Sequence, residues 1–421
     1  MRVRYTALKM PSSTALPLGW LLAGMVTIAG CVSSISTTIQ AQPTGTPQED
    51  CRQSRVDAPV DLPEGMDPSQ AVSAYLDSGG DPAMLAVSLY DRGWVTPRSA
   101  FVHTDLDGDG DEDLAVGLTE SPGAEGIAPS IPEGIADRGS VFLWRCEQGS
   151  YLLMEVAPPR PDFGLPALME ARDLTGDGLP ELVVFHPLCG AHTCYAQYAV
   201  YQWDGTAMAD RFLGDSTDLP SPEWLVHDEG QQRASVIEIT AQGIGSIGAG
   251  PYRIWSRSWS WDPTRPGFIP TAERIEPPRF RIHALHDADD AFEVGDLLVS
   301  QSLYERVIND DTLLDWPAPG ERRKELGAYA AYRRVLAFLA AGDAAGARAE
   351  RYERLRGVVG PAAAYAELAE LLLAADPAGG LAQACSDVQR YVLENGEAVL
   401  GPLDHGYANR TYSAADLCPA P

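Results

Sequence analysis

The sequence predicts an α+β multidomain protein, in which a β domain built from repeats is followed by a domain of α-helical hairpins. Short β-branched and aromatic runs, separated by Gly, Pro and Asp, fill residues 100–277 and predict strands. Amphipathic patterns rich in Ala and Leu fill residues 278–421 and predict paired helices. A chain of 421 residues is also too long for one hydrophobic core, so several domains are expected.

The N-terminus has the pattern of a secretory signal. Basic residues precede an apolar run from Ala15 to Ile28, which small residues and Cys31 follow, and this run is shorter than the roughly 20 residues that span a bilayer. The segment Ile28-Ala29-Gly30-Cys31 resembles the bacterial lipobox. That resemblance implies a lipoprotein signal peptide over residues 1–31, and an anchor on the outer face of a bacterial membrane through lipidated Cys31. A plain signal peptide with an incidental cysteine is the alternative.

Two further segments precede the β domain. Residues 32–63 are rich in Ser, Thr, Gln and Pro, which predicts a disordered linker. Residues 64–99 predict two short helices that begin at Pro68 and Pro82, because proline is favoured in the first turn of a helix. Gly79-Gly80 separates the two helices.

The formal net charge of -28 excludes some classes of partner. Nucleic acids and anionic membrane surfaces are bound through basic patches, so we expect no nucleic acid and no membrane contact beyond a lipid anchor. The charge fits an exported, cation-binding protein, although acidity that only aids solubility fits equally well.

Six cysteines remain once Cys31 is set aside, and an even number in an exported chain predicts disulfides. Six cysteines allow fifteen pairings. The pairs that we expect are Cys189–Cys194, Cys385–Cys418 and Cys51–Cys146. The first closes a short loop, the second would tie the last helix to the tail, and the third remains by elimination. A metal site that uses both cysteines of the first pair and His192 is the alternative.

The most specific motif is a run of alternating carboxylates. Its aspartates are Asp105, Asp107, Asp109, Asp111 and Asp113. Such a run repels itself unless it surrounds a cation, and oxygens at positions 1, 3, 5, 7 and 9 of a loop can wrap Ca²⁺. An EF-hand would need a flanking helix on each side and a glutamate at position 12, where Val116 lies instead within a strand-like run.

The same plan recurs from Asp173, with Thr175, Asp177 and Glu181 at the corresponding positions and an apolar strand after them. A third, degenerate copy keeps only Asp228 of the ligand set, so we expect no metal there. Repeats of this length predict a stack or a ring of small sheets.

These loops resemble the FG-GAP or VCBS-type repeat of β-propeller proteins, over about residues 101–277. The resemblance implies that each loop joins two strands of a blade and holds Ca²⁺. The implied ligands of the first loop are Asp105, Asp107, Asp109, Asp113 and the carbonyl of Asp111. Those of the second are Asp173, Thr175, Asp177, Glu181 and the carbonyl of Leu179. A closed propeller needs about four blades or more. About three repeats therefore predict an incomplete propeller or an irregular stack.

The C-terminal helices resemble tetratricopeptide hairpins over about residues 283–395. Leu339-Ala-Ala and Leu373-Ala-Ala recur at about the 34-residue period of that family. A generic Ala- and Leu-rich bundle explains the same pattern.

No catalytic residue is expected. The clustered aspartates fit a cation cage, in which every carboxylate stays ionised, better than an acid–base pair. His283 and His286, one helical turn apart, fit a solvated helix start. The spacing Gly243-x-Gly245-x-x-Gly248 lies in a strand-rich region without the helix of a dinucleotide site.

We therefore predict a non-enzymatic, calcium-stabilised cell-surface lipoprotein that acts as a protein-interaction or adhesion-type module, with an unknown protein or glycan as its partner. The alternative is an enzyme acting on extracellular polysaccharide, or its carbohydrate-binding accessory subunit. This alternative rests on the nine tryptophans and the spare carboxylates.

Overall fold

The computed structural model describes residues 51, 60–63, 65–96, 98–119, 139–230, 233–374 and 380–419. All of them belong to one compact unit, Gln48–Pro421. The predicted signal peptide, Cys31 and most of the predicted linker lie outside the described residues. No helix within the described ranges has the length and apolar character needed to cross a bilayer.

Two helices open the described chain, α1 (Pro68–Asp77) and α2 (Pro82–Asp91). Each begins with proline after an aspartate whose carboxylate accepts backbone N–H groups of the first turn, as is typical of N-caps. Gly80 lies in the turn between them, where a Cβ atom would be 2.3 Å from the Tyr75 ring. The two helices pack their apolar sides on the first sheet.

Twelve strands form three sheets of four among the described residues, and each sheet is an antiparallel meander in which neighbours in sequence pair. The first sheet contains β1 (Phe101–Thr104), β2 (Asp113–Thr119), β3 (Gly139–Glu147) and β4 (Ser150–Ala157). The second contains β5 (Ala167–Arg172), β6 (Glu181–Cys189), β7 (Cys194–Trp203) and β8 (Met208–Asp210). The third contains β9 (Pro222–His227), β10 (Val236–Ala241), β11 (Trp255–Asp262) and β12 (Gly267–Ile275).

The sheets stack in chain order because the second sheet buries apolar side chains against both the first and the third. One core cluster joins Leu143 of the first sheet to Val184 of the second, and another joins Val200 of the second to Trp259 of the third. Within the described part of the chain, no hydrophobic cluster joins the first sheet to the third. The sheets therefore resemble three propeller blades in a row.

Helices follow the sheets as packed pairs. Their bounds are α3 (Arg281–Glu293), α4 (Leu297–Asn309), α5 (Arg323–Ala340), α6 (Ala344–Leu355), α7 (Ala363–Ala374), α8 (Gly380–Glu394), α9 (Gly396–Leu400) and α10 (Ala414–Leu417). The first two pairs use the same turn. Gly295 and Gly342 have φ of +82° and +77°, and each is followed by an aspartate that caps the next helix. Three sheets and packed helix pairs confirm the predicted fold class.

A buried ion pair fixes the C-terminal tail against the helices. The Arg333 guanidinium lies 3.1 Å from the Asp289 carboxylate, and both side chains are 1% exposed. Three tyrosine hydroxyls, among them Tyr412, donate to Asp289. Arg333 also donates to the carbonyls of Asp416 and Leu417. This network compensates for the cost of burying two charges.

The connection between β10 and β11 lies on the helical region. The guanidinium of Arg253 pairs with Asp287 of α3, and the His283 ring is 3.2 Å from the Pro251 carbonyl. The Asn409 amide donates to carbonyls of the same connection at 3.1 and 3.2 Å. Because Gly250 lies against the His405 carbonyl, a side chain at that position has no room.

The six cysteines form disulfides in the pairs given above, which are Cys51–Cys146, Cys189–Cys194 and Cys385–Cys418. The Cys189–Cys194 bond closes the β6–β7 hairpin, so these cysteines offer no thiolate ligands for the alternative metal site. Three disulfides are typical of an exported protein.

Candidate metal centres

The first acidic loop joins β1 to β2, and its first aspartate organises the backbone. The Asp105 carboxylate accepts the N–H of Gly108 at 2.7 Å and that of Gly110 at 3.0 Å. Both glycines have left-handed φ angles, +84° and +93°. This conformation favours glycine, which explains their positions between the aspartates.

The second loop joins β5 to β6 and has the same geometry. The Asp173 carboxylate accepts from Gly176 at 2.7 Å and from Gly178 at 3.0 Å. The glycine φ angles are +77° and +97°. The two loops are therefore copies of one backbone structure, as their sequences indicate.

Each loop brings three acidic side chains together. Ligand oxygens of Asp105, Asp107 and Asp109 lie within 4.8 Å of one another, as do those of Asp173, Asp177 and Glu181. Carboxylate oxygens this close repel one another in the absence of a cation, and they are the ligands that hard divalent cations prefer. Either cluster can therefore bind a metal ion.

The last acid of each loop lies deepest. Asp113 is fully buried and accepts the N–H groups of Leu106 and Cys146 at 2.9 and 2.8 Å. Glu181, also buried, accepts from Leu174 at 2.6 Å. Burial, with a smaller contribution from nearby aspartates, raises the pKa of each carboxyl to about 7 and outweighs the backbone hydrogen bonds. A bound cation would offset this cost of burying a charge.

The remaining predicted residues flank these clusters. The Thr175 hydroxyl donates to Glu181 at 2.9 Å. One carboxylate oxygen of Asp111 lies 3.6 Å from the sulfur of Cys146. The ligand roles given to the carbonyls of Asp111 and Leu179 stay predictions.

Two further polar residues reach the loops from the third strand of each sheet. Arg145 donates to Asp107 at 2.9 Å, and Gln202 donates to Asp177 at 3.0 Å and to Glu181 at 3.2 Å. Sequence reasoning missed both residues. Trp144 and Trp203 occupy different register positions in their sheets. An alignment of the two repeats on these tryptophans therefore does not align Arg145 with Gln202.

The loops lie side by side on one edge of the stack. A Cβ atom on Gly108 would be 3.2 Å from the Leu179 side chain of the second loop. The Arg145 guanidinium also lies 5.0 Å from the centre of the Trp203 ring in the second sheet. On its other side, the second loop contacts the third, because Leu174 accepts the N–H of Ser235 at 2.7 Å.

Asp228, at the start of the third loop (residues 228–235), is paired with a positive charge of the protein itself. The Arg172 guanidinium lies 2.8 and 2.7 Å from the two carboxylate oxygens of Asp228. Arg172 is the residue immediately before the second loop. The one aspartate that this copy retains is therefore already paired with a cation.

The remaining candidates from the sequence are the two histidines of α3 and the glycine motif after β10. His283 and His286 belong to α3, and burial lowers the pKa of each, that of His286 to about 3. They are neutral and packed, which differs from the solvated helix start that we expected. Gly243 to Gly248 lie in the β10–β11 connection and lead into a single 3-10 turn, without the helix that a dinucleotide site requires.

No protein-family model matches the chain, and comparisons with curated proteins and with solved structures also find no match. The family resemblance therefore rests on the loop motif and on the three-sheet architecture alone.

Proposed function

We propose that the protein is a calcium-stabilised, non-enzymatic binding module on the cell surface. The observation that carries this proposal is the pair of adjacent loops with one backbone structure and three clustered acids each. Oxygen-only ligands favour Ca²⁺ over transition metals. Residues Asp105, Asp107 and Asp109 would hold one ion, and Asp173, Asp177 and Glu181 the other.

Calcium in these positions has a structural role in our proposal. It neutralises carboxylates that repel one another and fixes the relative positions of two neighbouring sheets. The acids of such a cage stay ionised and coordinated, so they are poor general acids. The rigid edge of the stack and the helical region then serve as surfaces for a protein or glycan partner.

The proposal also includes export and a lipid anchor at Cys31. The three disulfides support export, and the lipobox-like sequence supports the anchor. Metabolic labelling with a radioactive fatty acid tests the anchor, with Cys31→Ser as the unlabelled control.

Thermal unfolding of the compact unit of the exported chain, residues 48–421, tests the structural role of calcium; this unit is called the exported fragment below. We expect the melting temperature to rise on addition of calcium and to fall on addition of a chelator. A panel of extracellular polysaccharides tests the absence of catalysis. An unchanged melting temperature would refute the calcium sites, and turnover of any polysaccharide would refute the non-enzymatic role.

A further inference from the structure

A cleft of about 760 Å³ opens between the second and third sheets. It lies at the end of the sheets away from the acidic loops, because its rim contains the Cys189–Cys194 hairpin, whereas the loops join the opposite ends of the strands. The volume is in the range of cavities that hold small molecules. We call it the aromatic cleft.

Three aromatic rings form one wall of the aromatic cleft. The ring centres of Tyr198 and Trp224 are 4.9 Å apart in a stacked arrangement, and Phe185 lies 6.4 Å from Tyr198. The indole N–H of Trp224 donates to Glu170 at 3.2 Å, which fixes the orientation of that ring. The wall is therefore a preformed apolar surface.

Besides His192, Thr193 and the two tyrosines of the lining, two further residues there offer polar hydrogen-bond donors. Arg98 and Ser221 both line the cleft, and neither side chain has a hydrogen-bond or ion-pair partner among the residues that the structure describes. Both have left-handed backbones, with φ of +64° and +48°. Residues other than glycine rarely adopt this conformation, and strain of this kind is found preferentially at functional sites.

The backbone at both donors is firmly held. Next to Arg98, the Ser99 hydroxyl accepts the N–H of Gly117 at 3.1 Å and that of Leu168 at 3.2 Å. The N–H of Ser221 donates to the Cys194 carbonyl at 2.6 Å. The strained positions are therefore fixed by contacts with the first and second sheets, which preorganises them for a ligand.

We propose that the aromatic cleft binds an apolar carboxylate, with the apolar group on the wall of rings and the carboxylate on Arg98 and Ser221. A guanidinium and a hydroxyl both donate to carboxylate oxygens, and the guanidinium adds charge. The described lining contains no acidic or amide side chain, which sugar hydroxyls commonly need as partners. The ligand is either a free hydrophobic acid or the C-terminal residue of a peptide.

Calorimetric titration of the exported fragment tests this site. The probes are N-acetylphenylalanine, its neutral amide, octanoate, and a five-residue peptide ending in phenylalanine with and without C-terminal amidation. We expect the acids to bind at least about tenfold more tightly than the amides, because only the acids form the charge-assisted hydrogen bond. Tighter binding of the peptide acid identifies a peptide C-terminus as the source, and tighter binding of octanoate identifies a free acid.

Arg98→Gln and Arg265→Gln are the matched variants. Arg98 is exposed at the cleft, whereas Arg265 is exposed in the β11–β12 turn and does not line it. Arg98→Gln should abolish the preference for acid over amide, and Arg265→Gln should retain it. Saturable binding of none of the probes would overturn the proposal, as would an unchanged preference in Arg98→Gln. The cleft shares no residue with the calcium loops, so either result leaves the calcium proposal standing.

Discussion

Single side chains distinguish the third loop from the first two, whose clustered acids can bind a metal ion. In the third loop, Arg172 already pairs with Asp228. In the first loop, burial raises the pKa of Asp109, and the neighbouring Asp105 and Asp107 raise it further. The carboxylate of Asp109 is thus in a site that favours a bound cation, whereas Asp228 is already paired.

Replacing these two aspartates separately tests this difference. Asp109→Ala should weaken calcium binding at the first loop by at least about tenfold, since it removes one of three clustered charges. Asp228→Ala should leave calcium affinity unchanged, because Arg172 occupies its carboxylate. Calorimetric titration with calcium measures both. Equal losses in the two variants would contradict the assignment of the ligands.

At the scale of the element, the acidic loop is a unit whose backbone is encoded locally. Its alternating carboxylates and glycines are adjacent in sequence, so the loop and the strand after it could be predicted. Arg145 and Gln202 could not be predicted, because they reach the loops across strand pairs whose register no local pattern specifies. The same reason explains why the pairing of Arg172 with Asp228 was missed.

Gly110→Ala tests whether the loop conformation is required. Gly110 has φ of +93°, and a Cβ atom there would meet nothing within 4 Å. The substitution should cost about 1–2 kcal/mol of stability through backbone strain alone. The control is Gly327→Ala in α5, which is also uncrowded and should stabilise by about 0.5–1 kcal/mol. Urea unfolding in saturating calcium measures both changes, and the same sign for the two variants would count against the loop geometry.

At the scale of the whole molecule, stacked sheets and paired helices were predictable from periodicity, and the junction between them was not. The β10–β11 connection docks on α3 and on the tail through long-range contacts, such as that of Asn409 with the Pro251 carbonyl. The aromatic cleft likewise requires two sheets and the hairpin between Cys189 and Cys194 to meet. No local sequence pattern predicts the docking of the β10–β11 connection on the helical region or the formation of the aromatic cleft.

Three histidines whose rings pack inside the fold contribute to the dependence of stability on pH. Burial lowers the pKa of His186 to about 4, that of His286 to about 3 and that of His405 to about 4. Each has a ring nitrogen that is buried without a partner in the described part of the chain. Their ordinary pKa is 6.5. Through these histidines the unfolded chain binds more protons than the folded chain between that value and the folded pKa, so their contribution to stability falls as the pH drops from about 6.5 towards 4. The buried carboxyls Asp113 and Glu181 act in the opposite direction unless calcium keeps them ionised.

His186→Leu should reduce this dependence. Between pH 4.5 and 6 the slope of the unfolding free energy should decrease by up to about 1.4 kcal/mol per pH unit, which corresponds to one proton. Saturating calcium keeps the loop carboxylates ionised during the measurement. His192→Leu, at an exposed position, is the control and should leave the slope unchanged. An unaltered slope in His186→Leu would mean that this histidine is not held neutral by burial.

The central claim is that two adjacent loops, and not the third, hold calcium. Calorimetric titration of the metal-free exported fragment with calcium tests it most directly. We predict two bound ions per chain, with dissociation constants on the order of 10⁻⁴–10⁻³ M if these loops behave as extracellular modules do. Asp109→Ala combined with Asp177→Ala should abolish both sites. No binding to the wild-type fragment, or two ions still bound by the double variant with unchanged affinity, would contradict the claim.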